Sequence, residues 1–353
     1  MRALTWHGPR DVRVETVDDP RIEAPTDVIV RVGSTAICGS DLHIYHDREK
    51  GQDPGTVMGH EFVGQVADVG RAVRGLESGV LVVSPFSTSC GACFYCERGL
   101  TARCERGAVY GWVSRGVGLQ GAQAEYVRVP LADTTLVRVP GALDAELALL
   151  CGDVLATGAY AADLAGAGPG LSCVIVGAGP VGLMAVVAAR ARGAERIVAI
   201  DSVPERLRLA EELGAEAWPL ADASELAERL AQRNQGRGTD AVLEVVGSPE
   251  ATRLAFELVR PGGTIAALGV HCEPAMAFSP GEAYDKSLTY RAGRCPARDY
   301  ADRALELAGR EPERLRRVIT HRLALADGPR GYRIFESKLE GCVKLLLEVS
   351  QSD

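Results

Sequence analysis

The stretch SCVIVGAGPVG, residues Ser172–Gly182, decides the fold of the central part of the chain. An apolar strand runs directly into Gly177, Gly179 and Gly182, which have the spacing GxGxxG and open a helix. The first glycine permits a tight turn, the second lets the backbone approach a ligand, and the third lets helix and strand pack closely. Backbone N–H groups at the helix start then face a phosphate. The stretch predicts a dinucleotide-binding turn, with an ordinary tight turn as the alternative.

The next strand supplies an acidic residue where a dinucleotide site requires one. RIVAID ends at Asp201, nineteen residues beyond Gly182. A carboxylate there can accept a hydrogen bond from a ribose 2′-OH and would repel a 2′-phosphate, so we expect NAD rather than NADP. Pro180 and Val181 complete the predicted cofactor-binding turn. Arg206 is either a further cofactor-binding residue, which would reduce the preference for NAD over NADP, or a charged residue on a helix surface.

The pattern of apolar segments changes twice along the chain. Residues 1 to about 150 contain short apolar runs separated by Gly, Pro and Asp, which is typical of strands joined by turns. From Gly170 strands alternate with longer helical segments, which predicts a doubly wound parallel sheet. After about residue 285 the pattern is mixed again and ends in the apolar strand GCVKLLLEV. The predicted fold class is α/β with a second, β-rich domain, and the predicted domains are 1–153, 154–288 and a return to the first domain over 289–353.

Composition and charge exclude several classes of protein. The chain has 353 residues, 46% apolar and 24% charged, which suits a folded protein of two domains. A net charge of −8 argues against nucleic acid or an anionic membrane as a partner. Residues 164–189 carry no charge, but glycines and prolines interrupt them, which predicts a buried strand, turn and helix rather than a membrane span. The N-terminus has no apolar signal region, and ten cysteines suit a reducing compartment, so we expect a cytoplasmic protein.

A cluster of four cysteines predicts a closed metal site. CGACFYCERGLTARC places Cys90, Cys93, Cys96 and Cys104 within fifteen residues, in a lobe at about 88–106. Zinc takes four thiolates tetrahedrally, and such a site has no vacant position. We therefore expect a structural Zn²⁺, with reduced surface thiols as the alternative.

Taken together, these motifs resemble a known family. The cysteine lobe, the opening CGSDLH at Cys38, the GHE of Gly59–Glu61 and the GAGPVG turn resemble the zinc-containing medium-chain alcohol dehydrogenases over essentially the whole chain. The resemblance implies a GroES-like catalytic domain built from both chain ends around a Rossmann domain. It also implies two Zn²⁺ ions per chain, one catalytic and one structural, together with NAD. The substrate would be a small alcohol or aldehyde, and the assembly a homodimer or homotetramer.

The resemblance also implies a catalytic zinc site. Its ligands would be Cys38, His60 and a residue four positions before a Thr-Gly pair, here Thr157-Gly158. Asp153 stands at that position, and Cys151 lies two residues too early. Aspartate in place of cysteine resembles the formaldehyde dehydrogenase-like branch, as does the closing stretch VITHRLALADGPRGYRIFE. Three protein ligands leave the fourth zinc position open for substrate.

Further roles follow from the same resemblance. Ser40 would accept the alcohol proton and pass it through the cofactor ribose towards His43, and Asp41 would orient His60. Glu61 would lie behind the metal as an electrostatic modulator or transient ligand. Thr157 would help to hold the nicotinamide ring. Each residue also has a structural interpretation: Ser40 and Asp41 as turn formers, His43 as a solvated loop residue, Glu61 as a surface charge.

The leading hypothesis is a zinc- and NAD-dependent dehydrogenase that acts on small primary alcohols or on aldehyde hydrates, with formaldehyde among them. A polyol or threonine dehydrogenase of the same family is the first alternative, because such enzymes share CGSDLH-like openings. A non-enzymatic dinucleotide-binding protein is a remote alternative, since it need not retain Cys38, His60, Asp153, Ser40 and His43 together. A zinc-free quinone reductase has no use for the four-cysteine lobe.

Overall fold

A computed structural model describes residues 1–272 and 274–349. The backbone forms two compact units, Met1–Ala156 together with Pro296–Asp353, and Thr157–Cys295. The predicted domain limits after residues 153 and 288 stay predictions. The last four residues of the predicted C-terminal return lie outside the described residues.

The described residues form eighteen β-strands. In chain order they are β1 (Arg2–Gly8), β2 (Asp11–Thr16), β3 (Val28–Ile37), β4 (Thr56–Val57), β5 (Phe62–Val69), β6 (Leu81–Ser84), β7 (Trp112–Ser114), β8 (Val117–Leu119), β9 (Tyr126–Val129), β10 (Val137–Arg138), β11 (Ser172–Val176), β12 (Arg196–Asp201), β13 (Glu216–Pro219), β14 (Thr239–Glu244), β15 (Val259–Ala267), β16 (Thr289–Ala292), β17 (Ile319–Ala324) and β18 (Lys344–Glu348).

The helices are concentrated after the β-rich N-terminal segment. In chain order the α-helices are α1 (Asp41–Tyr45), α2 (Ala132–Thr135), α3 (Ala145–Gly152), α4 (Val154–Leu164), α5 (Pro180–Ala191), α6 (Pro204–Leu213), α7 (Ala223–Arg233), α8 (Pro249–Leu258), α9 (Pro280–Asp285), α10 (Ala297–Arg310), α11 (Pro312–Arg316) and α12 (Gly328–Ser337). Short 3₁₀ helices lie at Cys96–Arg98, Thr101–Arg103, Leu325–Asp327 and Leu339–Gly341.

The first unit is built around a seven-stranded sheet with the path β10-β6-β5-β3-β18-β17, to which β9 is added against β3. Strand β18 runs antiparallel to β3, with Leu345 opposite Ile37. The C-terminal segment therefore joins the sheet beside the strand that leads into Cys38. Apolar side chains from β3, β5, β6 and β9 fill one core cluster of this unit, among them Val30, Phe62 and Val127.

The second unit contains one parallel sheet in the order β13-β12-β11-β14-β15-β16. The order reverses between β11 and β14, which is where a doubly wound sheet binds a dinucleotide. Gly177 has φ +96°, and a Cβ on Gly182 would lie 1.8 Å from the Gly177 carbonyl oxygen. Both glycines are therefore required by the turn. The predicted α/β fold class is confirmed.

The apolar, uncharged stretch from Leu164 to Ala189 folds as the end of α4, strand β11 and most of α5. Residues Val174, Val176, Leu183 and Val187 within it are buried. Within the described part of the chain, no single helix is long and apolar enough to cross a membrane, and one bent pair of consecutive helices passes by length and composition alone.

Candidate active site

Four side chains from separate elements of the first unit bring their donor atoms together. Cys38 follows β3, His60 and Glu61 precede β5, and Asp153 lies between α3 and α4. One ligand atom from each residue lies within 4.8 Å of the others. All four side chains are buried. The structure thus assembles the three predicted ligands of the catalytic zinc and adds Glu61 to the group.

The donor spacing fits a tetrahedral zinc. Asp153 Oδ2 lies 3.4 Å from Cys38 Sγ and 3.3 Å from His60 Nε2. Bond lengths of about 2.3 Å to sulfur and about 2.0–2.2 Å to nitrogen and oxygen give donor-to-donor edges of roughly 3.3–3.6 Å. A thiol, an imidazole and a carboxylate are also the donor types that zinc prefers. The residues present therefore fit the metal.

The bend between α3 and α4 selects Asp153 over Cys151. Cys151 lies inside α3, where its Sγ donates to the Leu147 carbonyl oxygen at 3.2 Å. Asp153 ends that helix with φ −138° and ψ −79°, so its side chain leaves the helical path. A Cβ at Gly152 would lie 2.2 Å from the Ser84 carbonyl oxygen, so only glycine fits where this turn approaches β6.

His60 is oriented by Asp41. Asp41 Oδ1 lies 3.1 Å from His60 Nδ1, and Asp41 Oδ2 accepts the Cys38 N–H at 2.9 Å. Burial alone would lower the pKa of His60, but the carboxylates of Asp41 and Asp153 outweigh it and raise that pKa. With a cation bound at Nε2, His60 would be neutral and carry its hydrogen on Nδ1, which donates to Asp41. Asp41 is 1% exposed within α1, so it acts as a buried acceptor and is not merely a turn former.

Glu61 pairs with Lys344, which lies at the start of β18. Lys344 Nζ is 2.5 Å from Glu61 Oε1, and neither side chain is exposed. Burial opposes the charge on Lys344, but Glu61 outweighs it and raises the pKa of the ammonium group. Glu61 Oε2 is buried without a hydrogen-bond partner among the described residues. The interpretation of Glu61 as a surface charge is therefore wrong.

The buried charges in this group need a further cation. Asp41, Glu61 and Asp153 contribute three buried carboxylates, and Lys344 is the buried ammonium beside them. Burial, reinforced by Asp153 and Glu61, raises the pKa of the Cys38 thiol to about 11. Buried anions are normally paired or bound to metal. A divalent cation at these donors would supply that charge and favour the thiolate of Cys38.

Ser40 directly precedes the short helix α1, and His43 lies within it. Ser40 Oγ is 3.2 Å from His60 Nε2, which places the hydroxyl beside the ligand cluster. His43 is three residues further on, a spacing that puts both side chains on one face. Burial, together with Arg48 and His46, lowers the pKa of His43. The imidazole is therefore neutral at neutral pH and able to accept a proton.

The four lobe cysteines form a second donor group, with all four Sγ atoms within 4.8 Å of one another. Cys93 Sγ lies 3.9 Å from Cys104 Sγ. A tetrahedron with Zn–S bonds of about 2.3 Å has edges of about 3.8 Å. Burial disfavours ionisation of Cys90, but hydrogen bonds from the Ala92 N–H and the Arg106 guanidinium outweigh it and lower the pKa of Cys90 to about 6. The pKa of Cys93 is lowered as well, so Cys90 and Cys93 favour thiolate, the form that binds zinc, whereas burial raises the pKa of Cys104 and raises that of Cys96 to about 12.

The predicted cofactor residues lie together in the second unit. Asp201 ends β12, where its Oδ2 accepts the Ala178 N–H at 2.8 Å and its Oδ1 accepts the Val203 N–H at 2.9 Å. Arg206 Nη1 lies 3.6 Å from Asp201 Oδ2. Nη1 is also 3.7 Å from the position that a Cβ on Gly179 would take, so a positive charge lies over the glycine turn. This arrangement suits a ligand that carries a ribose and phosphates.

The other predicted cofactor residues are placed by α4 and α5. Pro180, Val181 and Gly182 form the first turn of α5. Thr157 lies in α4, where the following Gly158 is in close contact with α5: a Cβ there would lie 2.6 Å from the Ala185 nitrogen. The close packing of the two helices explains why a glycine follows Thr157.

A doubly wound sheet with a glycine turn, combined with a β-rich unit holding two zinc-type donor groups, defines a zinc-dependent dinucleotide oxidoreductase. Two family profiles match the chain: "Alcohol dehydrogenase GroES-like domain" over residues 24–141 and "Zinc-binding dehydrogenase" over residues 180–309. The chain belongs to the zinc-containing medium-chain alcohol dehydrogenase family.

Individual relatives support this family assignment. Zinc-type alcohol dehydrogenase B of Aspergillus flavus is 40% identical, covering 96% of this chain and 79% of its own. A glutathione-independent formaldehyde dehydrogenase of Pseudomonas aeruginosa is 32% identical over 95% of both chains. The solved structure of an alcohol dehydrogenase from Thermus sp. ATN1 is 41% identical, covers 99% of this chain and 100% of its own, and superposes with a TM-score of 0.91.

Several residues near the ligands were not predicted. The sequence predicts Lys344 only as part of an apolar strand, although a single lysine inside GCVKLLLEV indicates a buried ion pair. Phe86 packs edge-on to the His60 ring at 6.4 Å between centroids and is buried. Gln123 contacts both Tyr332 and Asp41, and the sequence offers no local pattern that links the three residues.

Proposed function

We propose that this protein is a zinc- and NAD-dependent dehydrogenase that oxidises small primary alcohols or aldehyde hydrates. The observation that carries the proposal is the buried group of Cys38, His60 and Asp153, whose spacing fits zinc, with the Ser40 hydroxyl beside it. In the reaction the alcohol carbon gives a hydride to the nicotinamide, and the hydroxyl gives a proton to the protein.

The first unit would hold both metals. Cys38, His60 and Asp153 would bind the catalytic ion, and Cys90, Cys93, Cys96 and Cys104 the structural ion. When bound, catalytic zinc supplies a Lewis acid that polarises the substrate oxygen. Asp41 fixes the tautomer of His60, and Lys344 holds Glu61 Oε1 in an ion pair, so that Glu61 acts on the site through its charge.

Ser40 and His43 would carry the proton away from the substrate. The Ser40 hydroxyl lies beside the ligands, so it can accept the substrate proton as it donates its own. His43 is the acceptor further along α1, because its lowered pKa keeps the imidazole neutral near pH 7.

NAD would be preferred over NADP because of Asp201, which carries a buried negative charge at the end of β12. Thr157, Gly177, Gly179, Pro180, Val181 and Gly182 would contact the remainder of the cofactor. Arg206 would offset part of the carboxylate charge, since its guanidinium is near both Asp201 and the glycine turn.

Replacing Asp201 with asparagine should lower the preference for NAD over NADP, measured as the ratio of kcat/KM values, by about tenfold or more. Asparagine keeps an acceptor oxygen for the Ala178 or Val203 N–H but removes the charge that repels a 2′-phosphate. Asp201→Gly should narrow the preference as well, with an additional loss of affinity for both cofactors because both backbone contacts disappear. Equal kcat/KM values for NAD and NADP in the unmodified enzyme would refute the assignment.

The substrate class can be tested with a panel of compounds in the purified zinc-loaded protein, followed by NADH absorbance. We expect turnover of short primary alcohols, with formaldehyde also accepted. Asp153 at the ligand position supports formaldehyde as a substrate, because an aspartate there resembles the formaldehyde dehydrogenase-like branch. Sorbitol and threonine serve as comparison substrates. Far better oxidation of either would make this substrate assignment wrong while leaving the zinc and cofactor assignments intact.

We also propose a homodimer or homotetramer that works in the cytoplasm. All ten cysteines lie in the described residues and none forms a disulfide, which fits a reducing compartment. Relatives of this family form dimers or tetramers, and a mass measurement in solution would decide between the two states.

A further inference from the structure

We propose that Tyr332 and Gln123 are positioning residues that set the orientation of His60 through Asp41. The inference rests on the proposed role of His60 as a zinc ligand. It concerns a hydrogen-bonded chain that begins on α12, near the C-terminus, and ends at the imidazole. All four residues lie in the first unit, and all are buried.

The chain of contacts is continuous. Tyr332 Oη donates to Gln123 Oε1 at 2.8 Å. Gln123 Nε2 donates to the Ala36 carbonyl oxygen at 3.1 Å and lies 3.4 Å from Asp41 Oδ2. Asp41 Oδ1 then accepts the Nδ1 hydrogen of His60 across 3.1 Å. Each polar end therefore has a partner, as a buried polar group requires.

Tyr332 stabilises one orientation of the Gln123 amide. The phenol can donate to the amide oxygen, which adds to the preference of the NH₂ group for the Asp41 carboxylate and the Ala36 carbonyl oxygen. Were the amide reversed, its oxygen would face a carboxylate and a carbonyl oxygen, and both contacts would become repulsive. Burial raises the pKa of Tyr332, so the phenol keeps its hydrogen and remains a donor.

Gln123 also fixes the backbone that carries His60. A Cβ on Gly59 would lie 2.4 Å from Gln123 Cγ, so the glutamine side chain packs directly over that glycine, which has φ +89°. The Gln123 N–H donates to the Met58 carbonyl oxygen at 2.8 Å. Gln123 thus supports His60 indirectly in two ways: its amide faces Asp41, and it packs against the backbone that precedes His60.

Tyr332 also packs against α1, the helix that carries Asp41. Its ring centroid lies 5.1 Å from that of Tyr45, which is in α1 with Asp41. Helix α12 therefore supports both the helix that carries Asp41 and the amide that faces its carboxylate. Loss of the phenol oxygen should loosen the orientation of the His60 ring without removing any ligand.

The test is Tyr332→Phe in the zinc-loaded full chain, with zinc release followed during titration with a chelator. Groups that orient a metal ligand contribute about 10–100-fold to metal affinity. We expect about a tenfold loss of affinity for one zinc per chain and no change for the second. A cobalt-substituted sample should show a changed visible absorption spectrum, which reports on ligand geometry and not on overall stability.

Tyr110→Phe is the matched control. Tyr110 is 1% exposed, and its hydroxyl accepts a hydrogen bond from Ser84 Oγ at 3.2 Å, outside the chain to His60. Gln123→Met, which removes the amide at similar volume, should weaken the same zinc, and adding Tyr332→Phe to it should cost little more. The proposal is overturned if Tyr332→Phe and Tyr110→Phe release zinc identically, or if the effects of Tyr332→Phe and Gln123→Met on zinc affinity add.

Failure of this inference is distinguishable from failure of the proposed function. If Asp153→Ala releases one zinc but Tyr332→Phe leaves zinc affinity and the cobalt spectrum unchanged, the ligand assignment stands and the positioning role is wrong. If Asp153→Ala and His60→Ala both keep two zinc ions, the ligand assignment is wrong and the positioning role fails with it.

Discussion

Asp153→Ala should lose one of two zinc ions per chain and about a thousandfold in kcat/KM. The aspartate lies within 3.4 Å of both Cys38 Sγ and His60 Nε2, so its removal takes one of the three proposed ligands from the buried group. Metal catalysis supplies several kcal/mol of transition-state stabilisation, and each 1.36 kcal/mol is about tenfold in rate. Elemental analysis and steady-state kinetics on the same sample measure both effects.

Three further variants test the two metal sites. Cys151→Ala should keep both zinc ions, because Cys151 Sγ bonds to the Leu147 carbonyl oxygen inside α3. Cys93→Ser should lose the lobe zinc and damage folding, since a closed four-thiolate site stabilises the structure around it. Cys38→Ser should mainly abolish turnover. Retention of two zinc ions by Asp153→Ala, or loss of one by Cys151→Ala, would count against the assignment of the third ligand.

The fold could be predicted because its decisive signals are local. The strand, the glycine turn and Asp201 lie within thirty residues, and Gly177 and Gly182 have steric reasons that the structure reproduces, such as the 1.8 Å approach at Gly182. The cysteine lobe is local as well. Local spacing is visible in a sequence, whereas the partners of a long-range contact are not.

The ligand group could be predicted only through family resemblance. Cys38 and Asp153 are 115 residues apart in the chain and meet through the sheet and the turn after α3. The spacing to Thr157-Gly158 predicts Asp153 as the third ligand. The structure supplies a physical reason, because the Cys151 thiol is hydrogen-bonded within α3. Its role as a ligand stays a prediction until metal is measured.

The polar pairs behind the ligands could not be predicted by either route, although the resemblance itself places Glu61 behind the metal. Gln123 and Tyr332 are 209 residues apart, and Glu61 and Lys344 are 283 apart. Each pair depends on β18 and α12 returning to the first unit, and no periodicity specifies which polar side chain meets which. Asp41, by contrast, was assigned to His60 by resemblance, and its 3.1 Å contact agrees with that role.

The stability of the first unit is sensitive to the buried pair beneath the ligands. Lys344 and Glu61 are both fully buried, and their charged atoms lie 2.5 Å apart. Removing one member of a buried ion pair leaves the other charge without compensation, which costs about 3–5 kcal/mol. Replacing both with uncharged groups of similar size avoids most of that cost. The pair is therefore a sensitive point of the fold even though its net contribution is small.

Lys344→Met should lower the free energy of unfolding of the metal-loaded protein by about 3–5 kcal/mol, and Lys344→Met with Glu61→Gln should recover most of it. Guanidinium unfolding followed by circular dichroism measures the difference. Arg322→Ala is the control, because the Arg322–Glu146 pair is partly exposed and such pairs contribute about 0–1 kcal/mol. If Lys344→Met unfolds at the same guanidinium concentration as Arg322→Ala, the Lys344 ammonium does not compensate Glu61, and the carboxyl group must be protonated in the folded protein.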